Sequence, residues 1–242
     1  MRKEWKEFAS AFFSRKNLQA GVWPVFLICI AFGVYEPLQL GPGWLRSPIM
    51  VFSISVLIPF VVVGFISPYS FVGERQRGTL EPLLATPVSD RAILFGKIGM
   101  AFLYGWGVSM ATMLLGVGSI NLAFSSGRVW PILYGTGIPA VVLSLFISLL
   151  VAVVGTTCSF YAKTILDAQR DLVVSLLIPI LLPAFLIGPL APGEWKIWII
   201  DSFAWLGGSD LLLLLIVLLL ITDAIFMVIA ITRFHRNRLL LV

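Results

Sequence analysis

Few residues of this chain could do chemistry, and most of those that could stand together. Glu74, Arg75, Arg77, Glu81, Asp90, Arg91 and Lys97 all fall in one stretch, FVGERQRGTLEPLLATPVSDRAILFGK, from Phe71 to Lys97. It holds seven of the twenty-nine formal charges and two of the fourteen prolines, in a chain that is otherwise nearly all hydrocarbon. A segment of that composition does not sit in lipid. It reads as a structured loop, and the chemistry it supports is recognition of a partner.

The remaining reactive side chains are isolated. Asp223, in LLLITDAIFMV, is the one ionisable residue near the middle of an apolar run. A charge at that depth is costly and has to face the bundle or a wet cavity. As a site it would be a substrate or gate contact, or a proton site. As a structural residue it would lock its helix against a neighbour, and without a membrane His, Lys or second acid it makes a poor relay. His235, the sole histidine, lies in a basic tail, and Cys29 and Cys158 fall inside apolar runs with no neighbours suited to metal or nucleophilic work. No G-x-x-x-x-G-K-[ST] phosphate loop, zinc motif or G-x-S-x-G elbow occurs. No catalytic residue, metal site or bound cofactor is therefore expected in this chain, and energy for any work has to come from a partner or an ion gradient.

The elements that position these residues are membrane helices. Hydrophobic residues make up 59% of the 242 positions, charged ones 12%, and the mean hydropathy is +1.01. A soluble domain carries roughly 25% charged residues, so the composition excludes a water-soluble fold. Alternating ten-residue strands are absent from the pattern, which disfavours a membrane β-barrel. The expected class is all-α: a polytopic bundle of six transmembrane helices, with spans near 21–40, 48–70, 95–124, 130–160, 172–190 and 210–232. The first run lacks a small-residue cleavage signal and reads as a retained span.

Charge sets the orientation. Fourteen of the seventeen lysines and arginines fall in the N-terminus, the loops after spans two and four, and the tail; the other face has Arg46, Arg128 and Lys196. Both termini are therefore expected in the cytoplasm. The pI of about 9.5 reflects these orientation signals and implies no nucleic acid. Residues 1–20 form a separate unit, in which Trp5, Phe8, Ala9, Phe12 and Phe13 recur at helical spacing among basic residues. That pattern predicts an amphipathic helix along the cytoplasmic interface. Residues 21–242 make the membrane domain.

Other features bear on packing. Span three carries Ala101-xxx-Gly105 and Gly107-xxx-Ala111, spacings that allow close helix approach. Span five carries Pro179, Pro183 and Pro189, which invite kinks. Residues 191–210, with Trp195, Trp198 and Trp205, predict a shallow re-entrant or interfacial element on the outer side. Glu36, before Pro37, is placed to reach the outer interface.

Within the central loop, Gly73 and Gly78 bracket a charged turn. Thr79 is placed to cap a short helix over 80–85, Pro87 stops it, and Ser89 or Asp90 caps the next helix, which runs into span three. Leu80, Leu83 and Leu84 would share one side of the short helix with Glu81 on its flank, an apolar knob suited to a groove on another protein.

The run F-x-G-E-R-x-x-G-T-L-E-x-L-L-x-T-P-V-S resembles the signature loop of the type-2 ATP-binding-cassette permeases, the membrane subunits of many bacterial exporters. The chain length, the helix before span one, the six spans, the short apolar segment before span six and the run AKTILDAQRDL agree with that family. The resemblance implies a dimeric permease, working as a homodimer or heterodimer on two ATPase subunits, which carry the ATP and magnesium. It assigns Glu74, Arg75, Gly78, Thr79, Leu80, Glu81, Leu84 and Pro87 to the element that couples ATPase closure to the spans. It also places the chain as a multi-pass protein of a bacterial-type plasma (inner) membrane.

The leading expectation is an exporter subunit moving a hydrophobic or amphipathic substrate. Two alternatives belong to other classes. A gradient-driven carrier or channel needs coupling carboxylates, and only Asp223 is on offer. A non-transporting membrane scaffold coupled to an ATPase needs an outer docking surface, and the outer loops are short.

Overall fold

The computed structural model describes residues 23–80, 87–124, 137–185 and 208–234. Every regular element among them is helical, as a chain must be that satisfies its backbone in hydrocarbon without closing a barrel. Among the described residues five helical stretches are long and apolar enough to cross a membrane: Val25–Arg46, Met50–Ser70, Asp90–Phe124, Gly137–Cys158 and Leu213–Arg233.

The first two spans are broken helices. Trp23–Ile30 (α1) passes through a π-helical turn at Ala31–Tyr35 into Glu36–Leu40 (α2) and closes in a 3-10 turn, Gly41–Arg46. Gly41 adopts φ +57° to end α2, a conformation glycine takes without cost. Ser47 Oγ then accepts from the Met50 amide at 3.1 Å and starts Pro48–Phe52 (α3). A second π turn, Ser53–Leu57, leads into Ile58–Ile66 (α4), and the 3-10 turn Ser67–Ser70 ends the span. Wide turns free carbonyls, and here they are taken up across helices: Ser119 Oγ donates to the Gly33 carbonyl at 3.2 Å.

The later elements are longer. Val72–Gln76 (α5) is a single turn in the loop. Asp90–Phe124 (α6) runs 35 residues, about 52 Å at 1.5 Å per residue, and so overreaches a hydrocarbon core of about 30 Å. Its first five residues, Asp90 to Leu94, precede the expected third span. Gly137–Cys158 (α7), Ile165–Phe185 (α8) and Gly208–Arg233 (α9) follow.

α7 is the hub, packing on α4, α6, α8 and α9. Small residues make the approach possible. A β-carbon on Gly105 of α6 would collide with Val63, and one on Gly155 of α7 would collide with Ser67 and Leu172. Ser55 Oγ reaches across to the Ala140 carbonyl at 3.1 Å. Of the two small-residue spacings in span three, Ala101 and Gly105 are buried while Gly107 and Ala111 are exposed, so among the described residues only the first pair is packed. α9 packs chiefly on α7, and its other sides are open.

α8 overlaps the predicted fifth span but is not among the five membrane-length stretches, so the described residues give five of the six expected spans. The helix starts at Ile165, seven residues before the expected Leu172, and runs through Pro179 and Pro183. The expected interfacial helix over 1–20, the re-entrant element and His235 lie outside the described residues.

Candidate functional site

The loop after the second span folds back onto the ends of three helices. Phe71, Phe160 and Phe234 form a triangle of rings, with centroids 5.2, 5.4 and 5.5 Å apart. Phe71 opens the loop, Phe160 follows α7 and Phe234 follows α9, so one aromatic cluster ties three chain segments together at a single end of the bundle. Edge and tilted contacts at these distances add to the area the rings bury.

On this base α5 is held by two cations. Lys97 of α6 donates to Glu74 Oε1 at 2.6 Å and to the Ser70 carbonyl at 2.6 Å, and its ammonium lies 4.9 Å from the centre of the Phe71 ring. The Lys97 side chain is 10% exposed and that of Glu74 27%, so the pair is sheltered from water and salt. Arg75 points the other way. Its two terminal nitrogens donate to the Ala162 carbonyl at 2.7 Å and the Phe160 carbonyl at 3.0 Å. Burial lowers the Arg75 pKa from its ordinary value, and both carbonyls compensate its desolvation. Val72 adds an apolar contact with Ala162, Ile165 and Ala168. The first and second loops are therefore one packed unit.

The end of α5 explains two further residues. Gly78 sits at φ +68°. The Thr79 amide bonds the Glu74 carbonyl at 2.9 Å and the Gly78 amide bonds the Arg75 carbonyl at 3.1 Å. This is the Schellman arrangement, which needs a left-handed residue where Gly78 stands. The Thr79 hydroxyl also turns back to the Glu74 carbonyl, at 3.3 Å. Leu80 is 3% exposed and joins the main core cluster beside Phe71 and Phe160. Ser89 caps α6, its Oγ accepting from the Ala92 amide at 3.3 Å, as the sequence suggests.

The structure thus brings Glu74, Arg75, Gly78, Thr79 and Leu80 into one small assembly. Glu74, Arg75 and Leu80 face inward, whereas Gly78, Thr79 and Pro87 are exposed. Glu81 and Leu84 lie outside the described residues. Asp223 belongs elsewhere: it is eleven positions before Phe234, roughly 16 Å along the helix, 4% exposed, with no hydrogen-bond partner for either carboxyl oxygen among the described residues. Sequence reasoning counted Lys97 only among the charges of the loop and gave no part to Phe160 or Phe234. A lysine on the second turn of a membrane helix was a usable signal; the two phenylalanines had none in so apolar a chain. Among the described residues no group of three or more His, Cys, Asp or Glu comes together to hold a metal.

A family model described as "ABC-2 family transporter protein" matches residues 18–168. The match takes in the first four spans, α5 and the second loop up to Ala168. The chain belongs to the ABC-2 transporter family. It is a multi-pass membrane permease of that family, and membership implies association with an ABC ATPase subunit. No curated protein and no solved structure matches this ABC-2 chain.

Around the loops, the ABC-2 permease carries a second capping device. Thr164 Oγ1 accepts from the Asp167 amide at 3.1 Å and donates to Asp167 Oδ2 at 2.7 Å, which starts α8 in polar sequence. Arg170 pairs with Asp167 and Asp171 at 3.6 and 3.3 Å. These pairs are exposed and contribute little to stability.

Proposed function

We propose that this ABC-2 permease is the membrane half of an exporter, in which two permease chains stand on two ATPase subunits and move a hydrophobic or amphipathic substrate outward. ATP and magnesium belong to the ATPase. The permease offers it the outer side of loop 71–97: Gly78, Thr79 and Pro87, with Glu81 and Leu84 between them. Glu74, Arg75 and Leu80 serve that surface from beneath. α8 supplies the fifth of six spans, both termini are cytoplasmic, and residues 1–20 lie along the inner face of a bacterial-type plasma membrane.

The observation that carries this reading is the anchoring of α5. A loop that merely joins two spans needs no sheltered ion pair beneath it, nor an arginine fastening it to a second loop. A loop that receives force needs both, because a slack connection would absorb the displacement.

A mild-detergent pull-down from the native host, with partner identification and an ATPase assay, tests the proposal. The expected result is a stoichiometric P-loop ATPase that is lost on Glu81→Lys or Leu84→Asp while the permease stays folded. A monodisperse permease without an ATPase overturns it and moves the weight to Asp223 and gradient-driven transport.

A further inference from the structure

Lys97 gathers three parts of one loop on a single ammonium group. The Ser70 carbonyl is the last of the second span, the Phe71 ring begins the loop, and Glu74 is the acid of α5. All three are held by a residue of the neighbouring helix, α6. Along the rest of its length α6 meets the first two spans mainly through small and apolar surfaces, such as Gly105 on Val63 and Gly116 on Trp44, with uncharged hydrogen bonds from Thr112 to Cys29 and from Ser119 to the Gly33 carbonyl. Surfaces of that kind resist separation but tolerate sliding and rotation. The Lys97 contacts are directional and short, and at 10% exposure water does not readily replace them.

The helix that bears Lys97 is also suited to carry a displacement. α6 is continuous from Asp90 to Phe124 and contains no proline, whereas the two preceding spans are interrupted by π turns at Ala31–Tyr35 and Ser53–Leu57. From Lys97 to Phe124 is about 40 Å of unbroken helix. A push on α5 that enters the second span meets a bend within a few turns. The same push entering α6 at Lys97 reaches the opposite end of the bundle.

We infer that Lys97 is a positioning residue for energy coupling, fixing the coupling loop to α6 so that movement of the ATPase is delivered to that helix. The inference rests on the exporter reading above and adds the route by which force enters the membrane. Arg75 holds the loop to the second loop through backbone carbonyls; Lys97 supplies its side-chain attachment to a long span.

The test uses the permease purified with its native ATPase. In a background carrying Cys29→Ala and Cys158→Ala, a bimane label is placed at Leu122→Cys, on the last turns of α6, where Leu122 is 89% exposed. Emission is read before and after trapping with ATP and orthovanadate. The expected result is a change in the background and in Lys97→Arg, and no change in Lys97→Met although the ATPase stays bound and hydrolyses ATP. A Lys97→Met complex that melts earlier yet responds like the background shows a structural role only and overturns the inference. Where Lys97→Met fails to assemble, Glu74→Gln decides: a diminished response supports the inference and an unchanged one overturns it. A background that binds no ATPase overturns the exporter reading and this inference with it.

Discussion

Gly116 of α6 lies directly against the indole of Trp44: a β-carbon built there would stand 2.8 Å from Cζ3 and closer still to Cη2. Trp44 is fully buried, and its Nε1 donates to Glu36 Oε2 at 3.2 Å. The largest side chain of the first span's terminal turn thus sits in the space that a missing side chain leaves on α6, and Glu36 is held by it.

Gly116→Leu is expected to cost about 1–3 kcal/mol, the range for overpacking a filled core. It would appear as a lower thermal midpoint in detergent and earlier proteolysis between the first span and α6. Gly118, two positions on, has nothing within 4 Å of its would-be β-carbon. Gly118→Ala should be neutral or gain up to ~1 kcal/mol from helix propensity.

Gly78→Val should destabilise α5 by about 1–2 kcal/mol, because a β-branched residue is forced to the +68° φ of the Schellman turn. Gly78→Asn should be milder, since asparagine tolerates that region. Hydrogen exchange at the Thr79 amide, which bonds Glu74, reports the effect locally and should accelerate in the order Gly, Asn, Val.

Arg75→Lys is expected to fail as a replacement. One guanidinium spans the Phe160 and Ala162 carbonyls, whereas an ammonium is a compact point charge without that fork. The loss should be about 1.5–3 kcal/mol, the range for a hydrogen bond to a charged group. Faster hydrogen exchange across Ala162–Ala168, with the spans unaffected, would identify the two-loop unit as what has loosened.

The Lys97–Glu74 pair should behave as a buried pair in a double-mutant cycle. Lys97→Met alone leaves the Glu74 carboxylate without its cation and should cost about 3–5 kcal/mol. Adding Glu74→Leu should recover much of that in thermal unfolding. Equal costs for the single and double variants would place the stabilisation in the Phe71 and Ser70 contacts instead.

Asp223→Val should stabilise the permease by about 1–3 kcal/mol, since it removes a buried polar group that has no hydrogen-bond partner among the described residues. Thermal unfolding in detergent measures the change. A stabilised variant that loses transport would mark the carboxyl as functional.

The helical class and five membrane-length stretches were legible because composition and period write them plainly. The inward turn of Glu74 and Arg75 was not. Arg75 ends on backbone carbonyls of Phe160 and Ala162, and a carbonyl carries no residue-type signal. Lys97 is twenty-three positions from Glu74, too far for any local pairing rule to join them. Leu80 read as one edge of an exposed knob because its period fits a helix; its place in the core depends on a cluster that draws in residues far away in sequence. The π turns of the first two spans were equally silent, since their residues fit an ordinary α-helix. The start of α8 was missed because hydropathy begins at Leu172, whereas the Thr164–Asp167 cap begins the helix in charged sequence.

Asp223 also imposes an order on biosynthesis. α9 entering the bilayer alone presents the Asp223 carboxyl to lipid, a penalty of about 2.5–3.5 kcal/mol on insertion scales, which the leucines of Leu211–Leu215 and Leu218–Leu220 outweigh. In the folded chain the carboxyl is 4% exposed and α9 packs chiefly on α7, and α7 has been synthesised well before it. Entry and docking of α9 are thereby joined: the ribosome delivers it after α7 is in place, and the acid that makes it a poor solitary membrane helix favours its prompt assembly.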